Sequence, residues 1–507
     1  MILSRSNKIL IRQSKQFKNL ANQILIVPLC EEDLNKGKIV KKDLKSFFLD
    51  NFSLSLDSYI SFYKFKGKWL ENFFISGKNS SKTYNIFILG LGHKENDIKA
   101  RCREVGIHIG KTIQKHAVKN ASFLLRTKYF NEGKNIFQLC LGLKMTTYKL
   151  PKFSVDVATK KAREESITLE LIGAKKDFDL KTLDILEDSI HRCRFLQDLP
   201  PNIATPTYIA KEMKKVSQAH GLKTTIFDGK KLNALGFHAF LAVAKGSSEE
   251  PKFVIIEYKP RHYKKTLALV GKGVTFDTGG YSIKTPSVHQ EEMKYDMSGA
   301  SIVLNSIIAI AKAKLPIHVY AVAPLCENAI SGSAYKVRDI VTAYDKKTIE
   351  IWNTDAEGRV ILADALAYTA LKLKPDFIMT HATLTGAIIS ALGHVGAGVF
   401  CFDDKLQSVI KKSSFLTGEQ LHVMPVWDEV SSEVKGDLSD VLNIPKSRGA
   451  AGSMYAAAFL REFTHEIPFA HFDIAGVANS NKAIGYPRDY SSGYGIQLNL
   501  EIAKTLA

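Results

Sequence analysis

Apolar residues fall into short continuous or alternating runs, separated by stretches with helical spacing. Ile24 to Leu29, Tyr84 to Gly90 and Ile136 to Gly142 carry the strand-like pattern, whereas Glu95 to His116 repeats its apolar positions as a helix does. A polar, charge-dense stretch from Thr159 to Asp179 precedes the amphipathic run Leu183 to Leu196. That run ends in Asp198-Leu199-Pro200-Pro201-Asn202, and the double proline cannot continue a helix. Beyond it, strands are predicted at Phe253 to Glu257, Thr266 to Val270, His318 to Pro324 and Phe377 to Thr380, with helical segments such as Ser298 to Ala313 between them. Strands alternating with helices predict an α/β fold in two domains, the second with a mainly parallel sheet covered on both faces. The boundaries expected are a smaller α/β domain over 1–170, a linker with a helix over 171–199, and a larger α/β domain over 200–507.

A length of 507 residues exceeds what one core usually serves, and 45% hydrophobic content fills two. Phe377 to Phe402 has no Asp, Glu, Lys or Arg and is long enough to cross a bilayer. Its histidines, threonines and Gly393, Gly396 and Gly398 predict buried core instead, so no membrane association is expected. At the amino end, Ile9 to Ile11 is cut at once by Arg12 and Lys15, which argues against a secretory signal, and Leu25 to Leu29 reads as the first strand. Cysteines at 30, 102, 140, 193, 326 and 401 form no close pair, as expected of a chain in the reducing cytoplasm.

The net charge of +19 is unevenly placed. Residues 1–170 hold 31 basic and 15 acidic side chains and the rest hold 39 and 36, so the excess belongs to the amino-terminal third. A patch of that sign attracts nucleic acid or another polyanion, but evenly spread surface lysines more often serve solubility.

Ligands gather where the strands of an open α/β sheet end. The strand Thr266 to Val270 runs into Gly271-Lys272-Gly273-Val274-Thr275-Phe276-Asp277-Thr278-Gly279-Gly280, where glycines allow close backbone approach to a Lys and an Asp. The loop has neither the Lys-Ser/Thr ending of a P-loop nor the glycine spacing of a dinucleotide site. After the strand-like Thr348 to Trp352 comes Asn353-Thr354-Asp355-Ala356-Glu357-Gly358-Arg359, whose two carboxylates suit a divalent cation. Asp296 stands just before the helix from Ser298. A lone Asp at a helix start is more often a cap than a ligand. Together, however, Asp277, Asp296, Asp355 and Glu357 would repel strongly if buried without cations. No histidine lies beside them, so a histidine-rich zinc site is not suggested.

Gly271 to Gly280 with Ser282-Ile283-Lys284, Met293 to Asp296, Asn353 to Arg359 and Ala382-Thr383-Leu384-Thr385-Gly386-Ala387 resemble the successive signature motifs of the leucyl aminopeptidase family. The resemblance runs from about residue 190 to the end; the first third matches in size and patterning the smaller, macro-like α/β domain of that family. It implies a cytoplasmic exopeptidase with two divalent metal ions, zinc or manganese, acting on peptide substrates as a homohexamer. By the same resemblance Asp277 and Glu357 bridge the metals, Lys272 and Asp296 complete one site, and Asp355 completes the other. Lys284 is then the oxyanion stabiliser, and Arg359 the anchor for a bicarbonate acting as general base. Met293, Thr383, Leu384, Gly386 and Ala475 match substrate-lining positions. Thr278, Val360 and Val337-Arg338 depart from the usual pattern without removing a ligand, and Ala478 stands where some relatives have Met, which puts a strict leucine preference in question. Two other readings are a nucleic-acid-binding or regulatory protein on the same fold, and another metallohydrolase such as a phosphatase.

Overall fold

The structure is a computed structural model. It describes residues 7–14, 23–36, 38–79, 82–93, 98–125, 128–130, 132–150, 153, 165–173, 178–285, 290–447, 450–479, 485–487 and 490–507. The chain divides into two compact units, 1–187 with 485–487, and 188–484 with 488–507.

The first unit is built on a six-stranded sheet, in the order Asn7–Ser14, Glu165–Ile172, Asn120–Leu124, Gln23–Leu29, Lys82–Gly90, Asn72–Asn79. Every pairing is parallel except the last. Two of these strands depart from the pattern-based expectation. Asn7–Ser14 precedes the expected first strand and lies at a sheet edge, which explains how charged Arg12 fits within it. Glu165–Ile172 lies within the polar stretch and crosses the expected boundary at 170; its Ile167, Leu169 and Leu171 point inward, alternating with Ser166, Thr168 and Glu170. Ile136 to Gly142 is not a strand but part of the helix Gly133–Met145, buried on nearly every side. A short run without a polar face carries no periodicity, so strand and buried helix look alike in sequence. The predicted helix over Glu95 to His116 is found at Ile98–Lys115, its first three residues lying outside the described ones.

The second unit centres on a nine-stranded sheet. Its four middle strands, Phe469–Asp473, Phe377–Ala382, Thr266–Gly271 and His318–Asn328, run mutually parallel. Lys252–Tyr258 and Lys223–Phe227 continue one side antiparallel, and Ala397–Cys401 lies antiparallel on the other. The middle strands read as apolar runs because helices cover both faces, Ser298–Lys312 and Glu357–Tyr368 among them. Phe377 to Phe402 is divided into two strands and the short helix Gly386–Leu392. Among the described residues no helix is long and apolar enough to cross a membrane.

Candidate metal centre

The carboxyl ends of the parallel strands bring together segments far apart in sequence. Thr266–Gly271 delivers Lys272, whose N–H donates to the His381 carbonyl of the neighbouring strand at 3.0 Å while its own carbonyl accepts from Ala300. The short strand Gly273–Asp277 pairs with the end of His318–Asn328 and delivers Asp277. A turn after Thr348–Glu350 carries Asp355, and Glu357 opens the next helix.

Two lysines organise the acids. Lys272 Nζ lies 2.8 Å from both Asp296 Oδ1 and Glu357 Oε1, and donates to the Thr383 carbonyl at 3.0 Å. Lys284 Nζ lies 2.8 Å from Asp277 Oδ2 and 2.5 Å from Asp355 Oδ1. Asp277, Asp355 and Glu357 each offer a ligand atom within 4.8 Å of the others. Neither Asp296 nor Asp355 caps a helix: the N-cap positions of the adjoining helices are Met297 and Ala356, and neither makes a side-chain cap. The ordinary explanation for an acid at a helix start therefore does not apply here.

Close approach dictates two glycines. Gly358 lies under the Lys272 side chain, where a Cβ would come within 2.5 Å of Cε. Gly279 has φ +87°, and a Cβ there would sit 2.9 Å from Asp355 Oδ1.

Burial dominates the electrostatics. It raises Asp296 to about 6, and it drives Glu357 well above the usual carboxylate range, with the Asp277 charge adding to the rise. Asp355 is raised by burial and by Asp277. For Lys272 burial works the other way, but Asp296 and Glu357 hold its pKa above the ordinary lysine value; Asp277 and Asp355 do the same for Lys284. Four carboxyl groups thus face two ammonium groups, an excess of acids that would leave surplus negative charge if all were ionised and that burial therefore pushes toward protonation. Asp296 Oδ2 and Glu357 Oε2 are buried without a hydrogen-bond partner among the described residues. Surplus charge and orphaned buried oxygens from Asp and Glu are what hard or borderline divalent cations neutralise, so the residues present fit such ions.

Beside the acids, Arg359 is buried, donates through Nη1 to the Asn443 carbonyl at 2.9 Å, and finds no partner for Nε among the described residues. Burial lowers its pKa to about 10. Thr383 Oγ1 donates to Asp296 Oδ1 at 2.7 Å, and the Leu384 N–H donates to Asp473 Oδ1 at 3.1 Å. Gly386 opens the short helix after these residues and is exposed, and Ala475 follows Asp473, whose Oδ1 accepts its N–H at 3.3 Å. Met293 lies half-buried in the 3-10 turn Gln290–Tyr295 that leads to Asp296.

Sequence reasoning passed over Asn328, Thr354 and Asp473. Asp473 is fully buried, also accepts the Thr385 hydroxyl at 2.6 Å, and is raised to about 6 by burial. It joins the segments after two adjacent parallel strands. Asn328 and Asp473 both end a middle strand, so the rule that ligands gather there could have found them.

Comparison with known proteins gives the family. The model of the cytosol aminopeptidase family, catalytic domain, matches residues 191–500. The chain is 37% identical to the probable cytosol aminopeptidase of Rickettsia canadensis (strain McKiel), over 82% of this chain and 83% of that protein. It is 38% identical to that of Prochlorococcus marinus (strain MIT 9215), over 81% and 84%. A solved structure of a tomato leucine aminopeptidase mutant superposes with a TM-score of 0.86 at 27% identity, covering 99% of this chain and 97% of that one. The chain belongs to the cytosol aminopeptidase family, and with it to the peptidase hydrolases.

Proposed function

We propose that the chain is a two-metal aminopeptidase that releases amino-terminal residues, leucine-like ones preferred, from peptides. The observation that carries this reading is the convergence of Asp277, Asp355 and Glu357 on one point beside the Lys272–Asp296 pair. Lys272, Asp277, Asp296 and Glu357 would hold one ion, with Lys272 as the neutral amine once a dication takes the place of its proton, and Asp277, Asp355 and Glu357 would hold the other; zinc and manganese both suit such donors. Divalent ions bound there would polarise the scissile carbonyl and supply a water nucleophile at neutral pH.

The chain's own residues do the rest. Lys284, held charged by Asp277 and Asp355, keeps a positive group where negative charge develops on the carbonyl oxygen. The Nε of Arg359, unpartnered among the described residues and in the first turn of Glu357–Tyr368, suits a small anion such as bicarbonate able to accept the proton of the attacking water. Met293, Thr383, Leu384, Gly386 and Ala475 would line the side-chain pocket. The name of the tomato relative supports leucine preference, and Ala478, buried and small where some relatives carry Met, would leave room for larger side chains if it lines that pocket. The names of the curated relatives support a cytosolic setting, and the family resemblance supports a homohexamer.

The test is hydrolysis of amino-acid amides beside amino-terminally acetylated controls, before and after chelation and with zinc or manganese restored. Metal-dependent cleavage of the free-amine substrates alone is expected, with leucine amide among the best. Equal cleavage of the acetylated controls, or activity that survives complete metal removal, would refute the reading.

A further inference from the structure

We propose that Asn328 is a positioning residue for the metal-binding carboxylates, its amide fixing Asp277 against the turn that bears Asp355 and Glu357. The inference rests on the two-metal reading above. Asn328 is the last residue of the central strand His318–Asn328 and is fully buried. One Nδ2 hydrogen goes to Asp277 Oδ1 at 2.7 Å, and the other to the Thr354 carbonyl at 3.0 Å.

Each end of this bridge is itself fixed. Asp277 Oδ1 also accepts the Gly279 N–H at 2.9 Å, so two neutral donors hold that oxygen and Oδ2 is the one turned to Lys284. The Thr354 carbonyl, immediately before Asp355, also accepts the Tyr335 hydroxyl at 2.9 Å. On the other side, the Asn328 main-chain carbonyl accepts both the N–H and the hydroxyl of Thr278, at 3.0 and 2.9 Å. One residue therefore ties the loop after Asp277 and the Asp355 turn to a rigid strand. It adds no charge to a cluster already rich in it.

The chemistry selects asparagine. An amide supplies two planar donors to two acceptors, a carboxylate and a carbonyl. Flipped, it would set Oδ1 against both, so the donor orientation is the one compatible with its neighbours. An aspartate would donate nothing to Asp277 and would place a further acid beside it, and a serine is too short to span both. Oδ1 has no partner among the described residues, and the amide is held here by what it donates. Groups that orient metal-bound carboxylates are worth about 10–100-fold in metal affinity.

The experiment uses full-length Asn328→Ala and Asn328→Ser, with circular dichroism of the metal-free proteins and chelator-competition titrations with Zn²⁺ and with Mn²⁺. Folded variants with metal dissociation constants weakened about 10–100-fold are expected. A role confined to the fold would lower the melting temperature and leave the constants of the folded protein unchanged, and that result overturns the proposal. Failure of both variants to fold also overturns it, since the amide would then serve the fold. Wild-type protein that binds fewer than two ions would sink the two-metal reading itself, a result visible before either variant is made.

Discussion

Both units end parallel strands in charged residues, yet they treat the charge in opposite ways. In the first unit the segments after Gln23–Leu29 and Lys82–Gly90 place His93 between Glu31 and Glu32, at 2.9 and 3.2 Å, with the imidazole 68% exposed. Water solvates such a group whether or not the pair forms, and the contact adds little to stability. In the second unit Asp277 and Glu357 are each 1% exposed, with Lys272 and Asp296 scarcely more so. Burying ionisable groups at this density is costly, and apolar residues of similar volume would often pack at least as stably. The contrast shows that strand-end charge by itself says little, whereas strand-end charge withdrawn from water marks a site.

The comparison breaks most visibly at Glu357. Glu357→Ala should abolish turnover and reduce bound metal below two ions per chain by elemental analysis, while circular dichroism stays native. A variant that keeps full metal and normal activity would make this acid a structural one. Next comes Lys284→Ala, expected to lower kcat by about a hundredfold to a thousandfold with a smaller change in KM, as for loss of one preorganised stabiliser of developing charge. An unchanged kcat would reduce Lys284 to a partner of Asp277 and Asp355.

A third prediction uses a buried acid outside the metal centre. Asp364 accepts the N–H groups of Phe240 and Tyr344 at 2.8 and 2.7 Å, and burial raises its pKa to about 8. Its folded pKa thus exceeds the unfolded one. The stability it contributes is present below about pH 4 and is lost as pH rises toward 8, by at most about 1.4 kcal/mol per pH unit. Urea unfolding of wild type and Asp364→Asn between pH 5 and 8 should show the difference moving in the variant's favour as pH rises. Movement the other way would mean that the carboxylate is ionised and its backbone bonds dominate. The smallest effect is expected at the exposed pair: His93→Gln should change stability by no more than about 0.5 kcal/mol. A loss of several times that would show that the first unit's strand ends matter more than their exposure suggests.

Much of the site was legible because its chemistry lies in contiguous motifs. Lys272 with Asp277, and Asp355 with Glu357, fall within single loops placed by strands whose apolar runs were plain; the acids read as candidate ligands from their chemistry, Lys272 only through the family resemblance. Which lysine faces which acid was not legible. Lys272 reaches Asp296 across 24 residues and the Thr383 carbonyl across 111, and no local pattern encodes such pairings. Asn328 escaped notice for a similar reason: a single amide closing an apolar strand carries no signal until Asp277 and Thr354 are seen on either side of it.

The sequence by itself determined the alternation of strands and helices, the mainly parallel sheet of the second unit, and the donor types gathered at its strand ends. These depend on periodicity and residue chemistry, which are local. Tertiary structure decided the rest. It made Gly133–Met145 a helix, found an edge strand in Asn7–Ser14, and drew Glu165–Ile172 into the first sheet across a stretch that composition marked as polar. It also buried Asp277, Asp296, Glu357 and Lys272 together and set Asp355 and Lys284, partly exposed, beside them, which raised three of those carboxyl groups and both ammonium groups above their ordinary pKa values. Burial and pairing are properties of what surrounds a group, and most of those surroundings come from distant parts of the chain.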